Sequence, residues 1–329
     1  MRTGSLRGRQ AAAAAAAVAA LLVCAGCTTP GGAASGDQGA PFAQWSAASL
    51  THGFDVLQQQ AAASDGPETI LLSEDSLTGI WRDATGLHPQ GLTTRIDAEN
   101  ALPADVSSMD GEVRGDPRVP VPLDASTAAL ILGLTDRDLP DDCADGTRTA
   151  RLTWTPAGSA LFQTSCADRS DGSRHLQRSF IGGAAWTDAT DIMDPATLDR
   201  VLDEAGLFIA PDADVSGLLI RPTANPPVAE LTGVPSDDGC VPAFTRGLAD
   251  PSYSADYCAT RDPSWTADPF PLADVPRDAL PDALGQLHDL GATADNLAVL
   301  RIASIAGTPT LAAQWNGPAG TVDQQVPLR

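Results

Sequence analysis

The side chains that carry most enzyme chemistry are scarce in this sequence or lie far apart in it. Four histidines occur, and none stands in the His-Glu-x-x-His pattern of a zinc site. All 20 basic residues are arginine, so no lysine can form a Schiff base or bind nucleotide phosphates in a Walker-type loop. A Gly-x-Ser-x-Gly nucleophile motif is also missing. These observations favour a non-enzymatic protein without a cofactor.

Carboxylates are abundant, with 36 Asp and 6 Glu. The segment from Asp212 to Gly217 matches the opening ligands of a calcium loop, but Thr223 stands where the closing bidentate carboxylate belongs. We interpret this segment as an Asp-rich turn and expect no metal. A hydrolase that uses two opposed carboxylates stays open as an alternative, because the sequence nominates no particular pair.

The first residues have the features of an export signal. Arg2, Arg7 and Arg9 precede any acidic residue, and residues 11–23 are an unbroken run of Ala, Val and Leu. This run is shorter than the roughly 20 residues of a bilayer crossing, but it has the length of a signal-peptide core. No adjacent arginine pair precedes it, which favours the general secretory route over the twin-arginine route.

A cysteine follows the apolar run where a lipoprotein is modified. The tetrapeptide Cys24-Ala25-Gly26-Cys27 resembles the lipobox of bacterial secreted lipoproteins, in which small residues precede a cysteine that receives lipid before cleavage. The resemblance covers the first 27 residues, and Cys24 stands where Leu is usual. It implies acylation of Cys27, palmitate included, and anchorage to the outer face of the cell membrane. An ordinary secretory signal is the alternative. The arginine-only, Ala-rich composition is typical of a GC-rich genome such as an actinobacterium's.

The leader also sets the domain boundaries. Residues 1–26 are expected to be the signal peptide, and 27–41 a lipidated flexible tether of Gly, Ala, Ser and Pro. Removal of residues 1–26 leaves 303 residues, which carry 17 arginines and 42 acidic side chains, a net charge of −25. So acidic a body repels nucleic acid and anionic lipid. We therefore expect membrane contact through the lipid anchor alone, and no nucleic-acid partner.

Four further cysteines could form disulfide bonds: Cys143, Cys166, Cys240 and Cys258. An even number in an exported chain favours disulfides, and their spacing lacks the Cys-x-x-Cys pairs of zinc sites. Sequential pairing, Cys143 with Cys166 and Cys240 with Cys258, is preferred among the three connectivities. The first bond would close the open end of a predicted hairpin and contribute roughly 3 kcal/mol by the loop-entropy model.

Two hairpins and two helices are the clearest elements. Alternation over residues 149–154 and 159–165 predicts a hairpin in which Trp154 pairs with Ser159, and residues 297–305 and 310–315 predict a second. Asp194 and Gly206 bound one helix, and Pro281 and Gly291 bound another. A helix between Phe42 and Ala63 is a further expectation, as are strands at 68–72, 77–81 and 128–134 and a long loop over 103–125.

The order of these elements shows no regular β-α-β alternation, which favours an α+β fold with mainly antiparallel sheet and a few short helices. A boundary near Ala210 gives each half one cysteine pair and one capped helix. We expect two small disulfide-braced halves, 42–210 and 211–329, although no sequence repeat relates them.

Aromatic residues nominate the recognition surface. Trp265, Tyr253 and Tyr257 lie in irregular chain near Cys258, and rigid loops that carry aromatic residues often bind partners. The alternative is that these side chains cover a small core beneath a long loop.

We therefore expect a cell-envelope lipoprotein that binds an envelope partner or ligand without catalysis. A solute-binding lipoprotein of a transporter and a carboxylate-dependent hydrolase are the alternatives.

Overall fold

The structure is a computed structural model. It describes residues 45–60, 66–73, 76–82, 89–95, 105–108, 119–135, 147–167, 174–210, 212–235, 239–259 and 268–329. All of these residues belong to one compact unit. The signal peptide, the tether and the lipidation site at Cys27 lie outside them.

Two eight-stranded antiparallel sheets make up most of the described chain. Sheet 1 has the strand order β4-β3-β2-β1-β5-β6-β7-β8. Its strands are β1 (Thr69–Ser73), β2 (Ser76–Arg82), β3 (Pro89–Arg95), β4 (Asp105–Ser108), β5 (Thr147–Trp154), β6 (Ala160–Ala167), β7 (Arg174–Ile181) and β8 (Ala184–Ala185). Sheet 2 has the order β12-β11-β10-β9-β14-β15-β16, and β13 pairs with β9 beside that path. Its strands are β9 (Asp214–Arg221), β10 (Val228–Gly233), β11 (Val241–Gly247), β12 (Tyr253–Ala259), β13 (Phe270–Pro271), β14 (Leu297–Ile305), β15 (Thr308–Gly317) and β16 (Gly320–Pro327).

Four short α-helices accompany the sheets: α1 (Ala47–Gln60), α2 (Ala125–Thr135), α3 (Pro195–Gly206) and α4 (Leu280–Asp289). Buried side chains of α1 and α2 share one apolar core with sheet 1, and those of α3 and α4 share a second core with sheet 2. Each sheet thus has one face covered by two helices.

The expected α+β fold of two disulfide-braced halves is wrong. The described chain is mostly antiparallel sheet with short helices, and no two of its described cysteine side chains lie at bonding distance from each other. The sheet content was underestimated because several strands lack clear apolar alternation. In β16, for example, five consecutive side chains from Thr321 to Gln325 are exposed.

A repeated order of elements relates the two halves. A helix, a four-stranded meander, a second helix and a three-stranded meander occur once as α1 to β7 and again as α3 to β16, with β13 inserted. The first strand of each set pairs antiparallel with the strand that follows the second helix, β1 with β5 and β9 with β14. The second set begins with α3, before Ala210, and the domain boundaries drawn from the sequence remain a prediction.

Both predicted hairpins are present. Leu311, Ala313 and Trp315 of β15 are buried as their alternation predicted, and β14 lies between β9 and β15 as a central strand. The register predicted for the first hairpin is wrong by one residue, since Trp154 pairs with Ala160. The reason is a longer turn, in which Thr155 N–H donates to Ser159 O at 2.9 Å.

The predicted helices also form, and one predicted strand is corrected. Asp194 accepts from the amides of Ala196 and Thr197 at the start of α3, and Pro195 follows it. Residues 128–134, expected as a strand, lie in α2, because their apolar run has no clear period and Asp124 caps the helix by accepting from Thr127 N–H at 2.8 Å. The long loop expected over 103–125 contains β4.

Candidate functional site

A buried ionic network joins α3 to the two strands at one edge of sheet 2. Glu204 of α3 accepts from Arg246 Nε, from Arg246 Nη2 at 3.3 Å and from the Tyr253 hydroxyl at 2.9 Å. Arg246 is 3% exposed and Tyr253 is 4% exposed. Three donors therefore hold the Glu204 carboxylate where water has little access.

The Arg246 guanidinium is bonded on its remaining sides as well. Its Nη1 donates to Gly247 O at 2.7 Å and its Nη2 to Thr187 O at 2.5 Å, while Trp186 lies 5.3 Å from its centre in a cation–π contact. Trp186 Nε1 donates in turn to Gly247 O at 3.0 Å. The network thus fixes the segment after sheet 1 against sheet 2.

Electrostatics in this network follow from burial. Burial raises the pKa of the Tyr253 phenol above its usual range, and the charge of Glu204 raises it further. At the network's outer end, hydrogen bonds from Thr190 lower the pKa of Asp188, with a further contribution from Arg246. Glu204 therefore meets a phenol that keeps its proton at neutral pH.

The ionic network is structural and not catalytic. Its donors and acceptors are paired with one another, and the void beside Glu204 and Arg246 measures about 10 Å³, barely the space of one water molecule. A substrate has no room there.

The open site lies on the face of sheet 1 turned away from α1 and α2, where a cavity of about 680 Å³ is found. We call it the sheet 1 cavity. Its described lining residues are Thr69, Leu71, Leu72, Ser73, Ser76, Thr78, Ile80, Thr149, Ala150, Arg151, Gln163, Ser165 and Tyr253. Successive side chains of a strand point to opposite faces of the sheet, and this places most of the lining residues. Ile70 and Leu152 point into the helix-covered core, so their neighbours Leu71 and Arg151 point towards the cavity.

One end of the sheet 1 cavity is closed by sheet 2. Gln163 Nε2 donates to Tyr253 O at 2.9 Å, and Ser179 Oγ donates to Pro251 O at 2.5 Å. Next along β6, Leu161 is buried in the core shared with sheet 2. The cavity wall is therefore rigid where the two sheets meet.

Hydroxyl groups on this face occur in bonded pairs. Ser73 Oγ and Ser76 Oγ are 2.5 Å apart, and Thr149 Oγ1 and Ser165 Oγ are 2.7 Å apart. A third pair joins Thr78 to Thr93, with 2.8 Å between the hydroxyl oxygens. Rows of such pairs make a polar surface that carries little net charge.

The site residues nominated from the sequence are only partly described. Of the expected recognition surface, Tyr253 is buried and lines the sheet 1 cavity, Tyr257 is described by its backbone alone, and Trp265 lies outside the described residues. That surface remains a prediction.

The four cysteines that were predicted to form disulfide bonds are also only partly described. Cys166 and Cys240 are buried, and each is disulfide-bonded, but not to the other. Cys143 lies outside the described residues, and Cys258 is described by its backbone alone. The predicted pairs therefore remain a prediction.

Residues 212–217 do not form a loop. Asp214 to Gly217 begin β9, and Ser216 Oγ donates inward to Gly233 O at 2.9 Å. Among the described side chains, no group of three or more His, Cys, Asp or Glu could hold a metal ion. Of the helices that are described, none is long and apolar enough to cross a membrane.

Sequence reasoning missed the residues that build the sheet 1 cavity and its support. Glu204 and Arg246 are 42 positions apart, so no local pattern connects them. The alternating Ser and Thr residues of β2 and β5, Ser76 with Thr78 and Thr147 with Thr149, were the available signal, because alternate residues of a strand fall on one face.

Comparisons with known proteins give no family. No protein-family model matches the chain, and no curated protein matches it. Three solved structures are similar over most of the chain at low TM-score. PCNA from Thermococcus kodakaraensis is 10% identical with a TM-score of 0.17, covering 86% of this chain and 97% of that one. The PCNA2–PCNA3 complex from Sulfolobus tokodaii is 11% identical with a TM-score of 0.15, covering 85% and 96%. Proliferating cellular nuclear antigen from Entamoeba histolytica is 10% identical with a TM-score of 0.15, and the match covers 86% of this chain and 96% of that one. At these TM-scores the likeness carries no conclusion about fold or function.

Proposed function

We propose that the protein is a lipid-anchored, non-enzymatic binding protein on the outer face of the cell membrane, and that its ligand site is the sheet 1 cavity. The lipobox-like segment that ends at Cys27 supports the location. The observation that carries the binding function is the cavity itself. At about 680 Å³ it falls in the range of ligand sites, and four neighbouring strands, β2, β1, β5 and β6, supply most of its wall.

Rigidity is the second support for this assignment. A binding site gains affinity when its walls need little ordering on association. Here Gln163 and Ser179 bond the backbone of the segment that ends in Tyr253, and the Tyr253 hydroxyl is bonded to Glu204. The buried network therefore acts as the support of the site.

Filling the cavity tests the proposal. Thr78 lies in the wall of the cavity, and Thr78→Trp places a large ring there. Binding to isolated cell-envelope material, measured by co-sedimentation, should weaken by about tenfold or more, which corresponds to roughly 1.4 kcal/mol.

Two further variants make this result interpretable. Thr321→Trp introduces the same ring at an exposed position of β16 and should leave binding unchanged. Ser165→Tyr fills the cavity from β6, so it provides a second test if Thr78→Trp lowers the melting temperature. Wild-type binding by both folded cavity variants would contradict the proposed site.

A further inference from the structure

We infer that the ligand of the sheet 1 cavity is an uncharged glycan that presents vicinal hydroxyl groups to the paired Ser and Thr side chains. This inference rests on the proposed function and specifies the chemical class of its ligand.

The first argument is the hydrogen-bonding capacity of the hydroxyl pairs. Each hydroxyl has one donor hydrogen and two acceptor lone pairs. When Thr149 bonds Ser165, or Thr78 bonds Thr93, one hydroxyl hydrogen is used within the pair and the other stays available. Each pair therefore offers one donor together with acceptor positions. A vicinal diol has the same combination, so the two can exchange hydrogen bonds in both directions.

The second argument is charge. Arg151 is the one charged side chain among the described lining residues; it is exposed and already takes part in an interaction. No carboxylate is among those residues, although the chain carries a net charge of −22. The connecting residues Glu74 and Asp75 lie outside the described chain. A site for an anion generally has several cationic donors and a site for a cation has a set of carboxylates, and the described wall has one arginine and no carboxylate.

The third argument is the apolar surface between the hydroxyl groups. Leu71 and Ile80 are half-buried and lie on the same face, opposite Thr78 and Thr69 on their partner strands. Ligand sites generally combine apolar walls with a few well-placed polar groups. A sugar ring carries C–H groups on its faces and hydroxyls on its edge, and this combination fits such a wall.

Periodate oxidation tests the ligand class directly, because it cleaves vicinal diols. Isolated envelope material that has been oxidised with periodate and then reduced should bind the wild-type protein about tenfold more weakly than untreated material. Protease-treated envelope material should bind as before. Binding that resists periodate, or that is lost after protease treatment, would overturn the glycan assignment.

A hydroxyl-to-methyl substitution provides the matched measurement on the protein. Thr149→Val keeps the volume of the side chain and removes its hydroxyl, so binding to untreated material should fall several-fold. Thr321→Val makes the same change on exposed β16 and should have no effect. In calorimetry, short neutral oligosaccharides released from the envelope material should bind. Binding of calcium ions or inorganic phosphate in their place would contradict the inference.

The two proposals fail in different ways. If Thr78→Trp abolishes binding to envelope material that is insensitive to periodate, the glycan assignment is wrong and the binding function stands. If Thr78→Trp and Ser165→Tyr both fold and bind normally, the cavity is not the site and both proposals are wrong.

Discussion

Glu204 and Arg246 place opposite charges where water cannot solvate them. Burying an ion pair costs several kcal/mol of desolvation for each ion, so it need not stabilise a fold relative to an apolar pair. Removing one member of the pair destabilises the fold, because the remaining buried charge is then left uncompensated. Arg246 in particular is almost wholly buried and is bonded by Glu204, Thr187 and Gly247.

The first prediction at the residue scale concerns this pair. Glu204→Gln should lower the free energy of unfolding by about 3 to 5 kcal/mol, measured by urea denaturation at neutral pH. Glu230→Gln is the matched control, since the Glu230–Arg221 pair, at 3.4 Å, is partly exposed, with 31% and 44% of the respective side chains accessible. Its loss should cost no more than about 1 kcal/mol. Equal effects of the two substitutions would mean that the buried network is not what holds α3 in place.

The second prediction concerns how the free energy of unfolding depends on pH through Tyr253. Burial raises the pKa of its phenol, so above about pH 10 the unfolded chain loses this proton before the folded protein does. The stability that depends on the protonated phenol is therefore present below that pH and is lost as the pH rises, by up to about 1.4 kcal/mol per pH unit. No lysine titrates in the same window, because the chain has none.

Tyr253→Phe provides the comparison. The variant should be less stable at neutral pH, because the hydrogen bond to Glu204 is lost, but its stability should fall less steeply from about pH 9 to about pH 11. Urea unfolding at several pH values measures both effects. Parallel pH profiles for the two proteins would contradict the assigned pKa direction.

At this scale the sequence predicts little of the candidate site. Tyr253 was nominated as part of a recognition surface because rigid loops that carry aromatic residues often bind partners. The structure buries its ring and directs its hydroxyl to Glu204, which is 49 positions away. Such a partner depends on the fold of the whole chain, and no local pattern reveals it.

At the scale of elements, helix boundaries were the most predictable feature. Asp194 and Pro195 act through local geometry, so their residue types were enough to place the start of α3. The exposed strands were the least predictable, because residues 321–325 of β16 are all exposed and the position of the strand depends on pairing with β15. A uniformly apolar run such as α2 fits either a buried helix or a buried strand.

The helix cap gives the prediction at this scale. Asp194→Ala removes the acceptor for two amides at the start of α3 and should lower the free energy of unfolding by about 1 kcal/mol. Asp191→Ala, three residues earlier at an exposed position, should change it by less than about 0.5 kcal/mol. Thermal unfolding of the two variants side by side checks the difference, and a larger effect at Asp191 would contradict it.

At the scale of the whole molecule, the lipid anchor decides where the cavity operates. Cys27→Ser should abolish metabolic labelling with radioactive palmitate and release the protein from membranes into the medium, because a chain without acyl groups has no apolar contact with the bilayer at this position. Membrane fractionation and autoradiography measure both outcomes. Cys24→Ser is the matched control and should remain labelled. Continued labelling of Cys27→Ser would place the modification elsewhere.

The strand order also determines which pairing step of folding comes late. Ile70 must meet Leu152, and Leu218 must meet Ile302, so the central pairing of each sheet joins residues roughly 80 positions apart. Contacts this remote slow folding, because the entropy of closing the intervening loop is lost before the contacts form. A chain that is synthesised from its N-terminus therefore leaves β9 without β14, its central neighbour, until β14 has been made. Sheet 2 can close only after that point, and we expect refolding to be slow in the same step.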